Sequence, residues 1–154
     1  MRVIETEIEI DAPARTIWEI LTDFSAMPSW NPFIRSISGP LAVGARLVVE
    51  IAPPGRSAMT FKPEVLTVSP QKELCWRGVV ASQHVFAGEH RFQLEPALGG
   101  RTRLIHGEVF TGLLVPLVMR DEMLEATRAG FAAMNEALRL RAERANQQAV
   151  AKVS

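Results

Sequence analysis

The stretch IETEIEIDAPARTIWEILTDF, residues 4–24, decides the fold because its hydrophobic period changes partway along. Isoleucine and threonine first alternate with glutamate, which predicts a strand with one apolar and one acidic face. The alternation ends at Asp11, which can cap a helix, and Pro13 suits a first helical turn, where a missing N–H costs nothing. Apolar residues then recur at helical spacing, at Ile17, Trp18, Ile20, Leu21 and Phe24. A strand followed by a short helix is therefore the predicted opening of the fold.

The middle of the chain predicts a run of strands. A second short helical turn is expected from near Pro28 to just before Pro32. Alternating segments bounded by turn residues then predict six strands, at 34–38, 47–51, from 59 onward, 74–78, 86–94 and 102–110. Pro63 lies within the third of these, which predicts an edge strand or a bulge. Short links favour antiparallel pairing, so with the first strand we expect a seven-stranded antiparallel sheet.

One long helix is predicted to close the chain over residues 117–145, and the polar tail at 146–154 is expected to fray. The helix carries an apolar stripe, at Leu117, Leu124, Phe131, Met134 and Leu138. Gly130 lies beside this stripe and costs about 1 kcal/mol relative to alanine in mid-helix. A residue without a side chain there either leaves room beneath the helix or lets it approach the sheet closely. The elements together predict one α+β domain over residues 1–145.

Composition narrows the class of protein. The 154 residues suffice for one domain with a substantial core. The 17 basic and 17 acidic residues cancel, so no charge pattern for nucleic acid or an anionic membrane is present. The longest apolar run, residues 113–119, is far below the ~20 residues that span a bilayer. The first residues lack the apolar core of a signal peptide, and Cys75 has no partner for an internal disulfide, so we expect a cytoplasmic protein. The oligomeric state stays open.

Three polar residues share the apolar face of the last two predicted strands. Alternate residues of a strand point to the same face, and His90 shares the even-numbered positions of its apolar neighbours. His106 and Glu108 share the even-numbered positions of the apolar residues on the next strand. If the chain turns around residues 98–100, paired residue numbers sum to 196 or 198, which places His90 opposite His106 or Glu108. A two-residue turn at 99–100 would give an odd sum and would place His90 on the opposite face of the sheet from His106 and Glu108. The apolar residues at even positions on both strands favour the even sum.

A His–His–Glu group within an apolar wall has four chemical uses. Its members can satisfy each other by hydrogen bonds, orient a polar ligand atom, bind a metal or move a proton. If the protein is an enzyme, His90, His106 and Glu108 are its candidate catalytic residues. No closely spaced pair of metal-binding residues indicates a dedicated metal site, so we predict neither a metal nor a cofactor.

Several short motifs carry a resemblance to a known superfamily. They are IDAP (10–13), LTDF (21–24), WNPF (30–33), FAGEH (86–90), HGEVFTG (106–112) and MNEAL (134–138). In these motifs and in its order of elements the chain resembles the START-like, or Bet v 1-like, superfamily and its polyketide cyclase/dehydrase and lipid-transport branch, also called SRPBCC. The resemblance implies a helix-grip fold, in which the sheet curves around the C-terminal helix, often with an apolar cavity between them. It implies no shared catalytic motif.

The expected cavity has a volume of roughly a few hundred Å³. We predict that aromatic, methionine and polar side chains line it, namely Trp30, Phe33, Met59, Phe61, Trp76, His90, His106, Glu108, Phe110, Phe131 and Met134. The favoured function is binding or carriage of a small apolar molecule, either lipidic or aromatic and polyketide-like. One alternative is a cyclase/dehydratase-type enzyme that uses the pocket histidines and glutamate as acid and base. The other is a protein-interaction module of the co-chaperone kind.

Overall fold

The computed structural model describes all 154 residues, which form eight strands, four α-helices and two short 3-10 helices at Phe24–Ala26 and Leu98–Gly100. The strands are β1 (Arg2–Ile10), β2 (Ile34–Ser38), β3 (Val48–Ile51), β4 (Met59–Phe61), β5 (Glu64–Ser69), β6 (Glu73–Val80), β7 (Phe86–Pro96) and β8 (Thr102–Thr111). The helices are α1 (Ala14–Thr22), α2 (Met27–Trp30), α3 (Val115–Val118) and α4 (Asp121–Val153). Pro13 occupies the N-cap position of α1, and no side chain caps this helix, so the cap suggested for Asp11 is not formed.

All paired strands are antiparallel. Five form a curved sheet in the order β1-β8-β7-β6-β5, and three form a smaller sheet in the order β2-β3-β4. The predicted antiparallel α+β fold with a long C-terminal helix is confirmed, but the predicted count of seven strands is wrong, because β4 and β5 are separate strands. Pro63 lies between them and has no N–H to donate to a ladder. Its carbonyl accepts a hydrogen bond from the Leu47 N–H at 2.9 Å, which keeps the two sheets adjacent.

Helix α4 packs its buried stripe against the curved sheet and against Phe33. Phe131 and Met134 of this stripe are completely buried. A Cβ at Gly130 would overlap the Phe33 ring, and the same ring meets Phe131 edge-on with centroids 5.3 Å apart. The missing side chain of Gly130 therefore allows close approach of the segment before β2, and does not leave an empty space.

The C-terminal helix differs from the prediction at both ends. It starts in two pieces, because Arg120 has an extended backbone (φ −68°, ψ 162°) and separates α3 from α4. Its end lies at Val153, so residues 146–153, expected to fray, are helical. Two contacts hold this region to the start of the chain, since Asn146 donates to the Asp11 carbonyl at 3.1 Å and Glu143 accepts from the Asp11 N–H at 3.1 Å. Despite the length of α4, no helix here is both long and apolar enough to cross a bilayer.

Candidate functional site

A cavity of about 260 Å³ lies between the inner face of the curved sheet, the smaller sheet and the region from α3 to the first turns of α4. Twenty residues line it, and fourteen of them are hydrophobic. They are Phe33, Ile34, Val49, Ile51, Met59, Phe61, Pro63, Trp76, Gly78, Val80, Phe86, Gly88, His90, Glu108, Phe110, Leu114, Val118, Met119, Met123 and Thr127. His90 and Glu108 are the only titratable groups in this wall, so its chemistry is concentrated at one place.

The structure brings seven of the eleven predicted site residues to the cavity wall: Phe33, Met59, Phe61, Trp76, His90, Glu108 and Phe110. The other four lie outside it. His106, Phe131 and Met134 are completely buried behind the wall. Trp30 is partly exposed and does not line the cavity, and its indole Nε1 is buried without a hydrogen-bond partner.

Sequence reasoning missed thirteen of the twenty lining residues, and two groups among them are informative. Gly78 and Gly88 are paired across β6 and β7, where they leave the cavity floor without side chains. Both glycines have even numbers, like the apolar residues of their strands, so they belong to the apolar face. Two glycines on that face are a sequence signal that could have predicted this open floor. The second group, which includes Leu114, Val118 and Met119, belongs to α3 and the residues around it, which the sequence did not separate from the long helix.

The register of β7 and β8 places the two titratable groups side by side. His90 pairs with Glu108, which confirms the predicted even sum and selects 198 over the alternative of 196. The His90 Nδ1 lies 3.3 Å from the Glu108 Oε2, and the two side chains are 7% and 18% exposed. A Cβ at Gly88 would lie 2.5 Å from the Glu108 Oε1, so glycine at this position makes room for the carboxylate. The result is a nearly buried carboxylate–imidazole pair on an otherwise apolar wall.

This pair continues inward as a chain of hydrogen bonds. The His90 Nε2 lies 2.9 Å from the His106 Nε2, and the His106 Nδ1 lies 2.8 Å from the Asn135 Oδ1. The Asn135 Nδ2 donates to the Thr6 Oγ1 at 2.9 Å, and the Thr6 hydroxyl donates to the His106 carbonyl at 3.0 Å. Strands β7, β8 and β1 and helix α4 therefore all contribute to one buried polar network.

The directions of these hydrogen bonds determine where the protons lie. Because the Thr6 hydroxyl donates to a carbonyl, its oxygen accepts from the Asn135 amide, and the amide oxygen is left to accept from the His106 Nδ1–H. The His106 Nε2 is then an acceptor, so the His90 Nε2 carries the proton between the two rings. The His90 Nδ1 then faces the Glu108 Oε2 at 3.3 Å, and a hydrogen bond between these two atoms requires a proton on one of them.

The surroundings of His106 keep this ring neutral. It stacks on Phe131, with centroids 4.0 Å apart and ring planes at 12°, and also contacts Phe92 at 4.4 Å. Burial holds the pKa of His106 well below its usual value, charge on His90 lowers this pKa further, and the hydrogen bond with Asn135 opposes both effects. A neutral His106 with a fixed tautomer follows from its burial and its hydrogen bonds.

Asn135 and Thr6 are functional candidates that the sequence did not reveal. Asn135 belongs to the MNEAL motif and is 3% exposed, and Thr6 has the inward parity of β1. A polar amide within an apolar helix stripe is the signal that could have identified Asn135. No group of three or more His, Cys, Asp or Glu side chains is placed to hold a metal ion.

A second depression lies on the opposite, outer face of the curved sheet. This groove has a volume of about 690 Å³ and is open to solvent, and only three of its nine lining residues are hydrophobic. Arg77 and Glu89 line it and form an ion pair at 2.8 Å. A wide, polar groove buries little of a small molecule, so the inner cavity is the candidate ligand site.

Comparison with known proteins agrees with this architecture. A model of the family described as "Polyketide cyclase / dehydrase and lipid transport" matches residues 1–143. No curated protein matches the chain. Among solved structures, a START superfamily protein from Mycobacterium smegmatis is 23% identical with a TM-score of 0.71, over 92% of this chain and 97% of that one.

Two enzymes also have the same fold. An aromatase/cyclase from Streptomyces sp. R1128 is 18% identical with a TM-score of 0.70, over 93% of this chain and 94% of that one. Norcoclaurine synthase from Thalictrum flavum, in a truncated form, is 16% identical with a TM-score of 0.65, over 89% of this chain and 90% of that one. At these identities the likeness shows the fold alone, and it is the helix-grip fold that the sequence predicts.

Proposed function

This chain belongs to the polyketide cyclase/dehydrase and lipid-transport family, and from that premise we propose that it binds a small, mainly apolar molecule in the cavity between sheet and helix. The observation that carries the proposal is the cavity itself, about 260 Å³ in volume and lined largely by hydrophobic side chains. Enclosed apolar surface of this kind is what gives small-molecule sites their affinity.

The composition of the wall limits the ligand. No lysine or arginine lines the cavity, so nothing there would neutralise a carboxylate or phosphate brought out of water. His90 and Glu108 together offer one place for a polar group of the ligand. A neutral molecule with an apolar body and one polar atom is therefore the best match. An open cavity also favours ligand binding over a protein-interaction module with a filled core.

One observation favours a second candidate function, an acid–base enzyme of the cyclase/dehydratase type. The carboxylate–imidazole pair faces the cavity, where a bound molecule would lie within reach of a transferable proton. Ligand binding is a requirement of this activity too, so binding is tested first.

The binding test uses a substitution that fills the cavity. A Cβ at Gly78 would meet no atom within 4 Å, so the side chain of Gly78→Leu can extend into the open space without displacing its neighbours. We expect the neutral dye N-phenyl-1-naphthylamine to bind the natural protein with increased fluorescence. Its Kd should rise at least about 10-fold in Gly78→Leu, and the melting temperature should stay the same or rise.

Val79→Phe is the matched control, because Val79 is the next residue of β6 and points to the outer face, where it is 49% exposed. This variant should bind the dye like the natural protein. No binding by the natural protein, or equal binding by Gly78→Leu, would show that the cavity is not a ligand site.

A further inference from the structure

We propose that Glu108 is the general base of this cavity and exchanges a proton with the carbon next to the carbonyl group of a neutral, enolisable ketone. Asn135 and Thr6 are positioning residues. They act through His106 to keep a proton on the His90 Nε2, which leaves the His90 Nδ1 to face Glu108. The inference rests on the proposed function, since the ketone must first occupy the apolar cavity.

Glu108 is the group on the wall that is free to react. Its Oε2 faces His90 at 3.3 Å, whereas its Oε1 lies above Gly88, where no side chain intervenes. It makes no ion pair with lysine or arginine, and its side chain is 18% exposed, so a proton taken from a ligand can exchange with water. Glu108 thus combines an accessible basic oxygen with a partner for its other oxygen.

His90 supplies a hydrogen-bond partner for the proton that Glu108 takes up. The network behind it places a proton on its Nε2, so any further proton on the ring lies at Nδ1, next to Glu108. When Glu108 takes a proton from a ligand, its carboxyl O–H can donate to the His90 Nδ1, 3.3 Å from the Oε2, which stabilises the protonated base. Trp76 stacks on the His90 ring, with centroids 5.0 Å apart and planes at 11°, and holds the ring in place.

The class of substrate follows from what the wall lacks. No lysine or arginine is present to bind an acidic ligand, so the substrate is uncharged. A single-carbonyl ketone carrying an aromatic ring fits the apolar lining, and conjugation of its enolate with the ring spreads the developing charge. The carbon that loses the proton must lie within contact distance of the Glu108 Oε1.

The step balances without any co-reactant. The Glu108 carboxylate takes the proton from the carbon, the C–H electron pair becomes the C=C bond, and the carbonyl π pair moves to oxygen to give the enolate. In the reverse step the Glu108 carboxyl returns a proton to the same carbon. If that proton has exchanged with heavy water in the meantime, the ketone gains a deuteron.

The probe is 2-tetralone, a neutral bicyclic ketone with a benzylic carbon next to the carbonyl. Its binding is measured by calorimetry, and its deuteration in D2O is followed by proton NMR and corrected for the rate in buffer. We expect the natural protein to bind it and to accelerate exchange, and we expect Glu108→Gln to bind with similar Kd while losing about 100-fold or more of the rate. Glu108→Asp, which keeps a carboxylate one methylene further back, should retain part of the rate.

Glu95→Gln is the matched control, because Glu95 is exposed at the end of β7, on the outer face. It should exchange the probe like the natural protein. Binding without acceleration, or full acceleration in Glu108→Gln, would overturn this inference and leave the binding proposal standing. If 2-tetralone does not bind but the dye does, the substrate class is wrong. If neither binds, the proposed function fails as well.

The positioning role is tested with Asn135→Leu, which removes the acceptor for the His106 Nδ1–H. We expect the exchange rate at saturating probe to fall roughly 10-fold with little change in KM, since the residue does not touch the ligand. Nitrogen-15 NMR of the imidazoles should show the His106 Nδ1–H tautomer in the natural protein and a mixture in the variant. An unchanged tautomer and rate in the folded variant would rule out the positioning role.

Discussion

The two faces of the sheet formed by β6, β7 and β8 carry similar residue types in very different surroundings. On the outer face, Glu89 meets Arg77 at 2.8 Å and Arg91 at 2.9 Å, and the arginine side chains are 41% and 45% exposed. On the inner face, Glu108 meets His90 at 3.3 Å, and these side chains are 18% and 7% exposed. Alternation along the same strands separates the two sets by the thickness of one sheet.

The difference lies in what replaces each interaction when it is broken. Water can solvate an exposed carboxylate or guanidinium, so an exposed pair is worth at most about 1 kcal/mol. The members of the inner chain from His90 through His106 to Asn135 are at most 5% exposed, so water cannot readily replace a partner that is removed. The inner face should therefore govern both stability and chemistry, and the outer face neither. The following predictions test that contrast.

The largest effect is expected for His106→Leu. The substitution keeps an apolar side chain between Phe92 and Phe131 but leaves the His90 Nε2–H and the Asn135 amide oxygen without partners. Each unpaired buried group costs about 1–3 kcal/mol, so we expect the free energy of unfolding to fall by roughly 2–4 kcal/mol. Urea denaturation followed by circular dichroism measures it. A loss below about 1 kcal/mol would show that the inner network is no more important than an exposed pair.

The next effect concerns Gly130 on helix α4. Alanine there would gain about 1 kcal/mol of helix propensity, but its Cβ would overlap the Phe33 ring, and overpacking of this kind costs about 1–3 kcal/mol. We expect Gly130→Ala to destabilise the protein by roughly 1 kcal/mol net. The exposed Ala133 is the control, because Ala133→Gly should also destabilise, through propensity alone. A more stable Gly130→Ala protein would mean that Phe33 moves freely.

A pH titration tests the neutral state of His106. Because its pKa in the folded protein lies well below the usual value, the unfolded chain takes up a proton first as the pH falls through about 6.5. The free energy of unfolding should then decrease towards acid, by at most about 1.4 kcal/mol per pH unit from this group. His106→Leu should lose this part of the slope. Equal slopes for the two proteins between pH 7 and about pH 5.5 would contradict a neutral, buried His106.

The parity argument explains why much of the fold was predictable from sequence. Alternation along a strand depends on local backbone geometry, so it placed His90 and Glu108 on one face. The even positions of the apolar residues favoured an even sum, but only the structure selects 198 over 196. The same local reading correctly associated Pro63 with an edge position, because β4 and β5 both lie at sheet edges. It did not separate these two strands, since that depends on which sheet each of them joins.

The cavity wall was predictable only in part, because parity gives the face of a residue and not its depth. Phe131 and Met134 have the correct face of the helix but lie completely buried beneath the wall, whereas Met119 and Val118 reach the cavity through a helix break that the apolar pattern does not show. The partnership of Asn135 with Thr6 joins residues 129 positions apart, and only the packing of α4 on β1 brings them together.

The smallest effect is expected on the outer face, for Glu89→Gln. Hydrogen bonding to Arg77 holds the pKa of Glu89 below its usual value despite partial burial, so its contribution is present above about pH 4.5 and is lost as the pH falls through the lower, folded-state pKa. At neutral pH we expect the substitution to reduce the free energy of unfolding by less than about 1 kcal/mol, and added salt to shrink the difference further, because ions screen exposed pairs. Urea denaturation of both proteins at low and high salt measures this.

Dye binding and ketone exchange should not change, since the whole thickness of the sheet separates Glu89 from the cavity. A cost comparable to that of His106→Leu would mean that the two faces contribute equally, and that burial does not distinguish them.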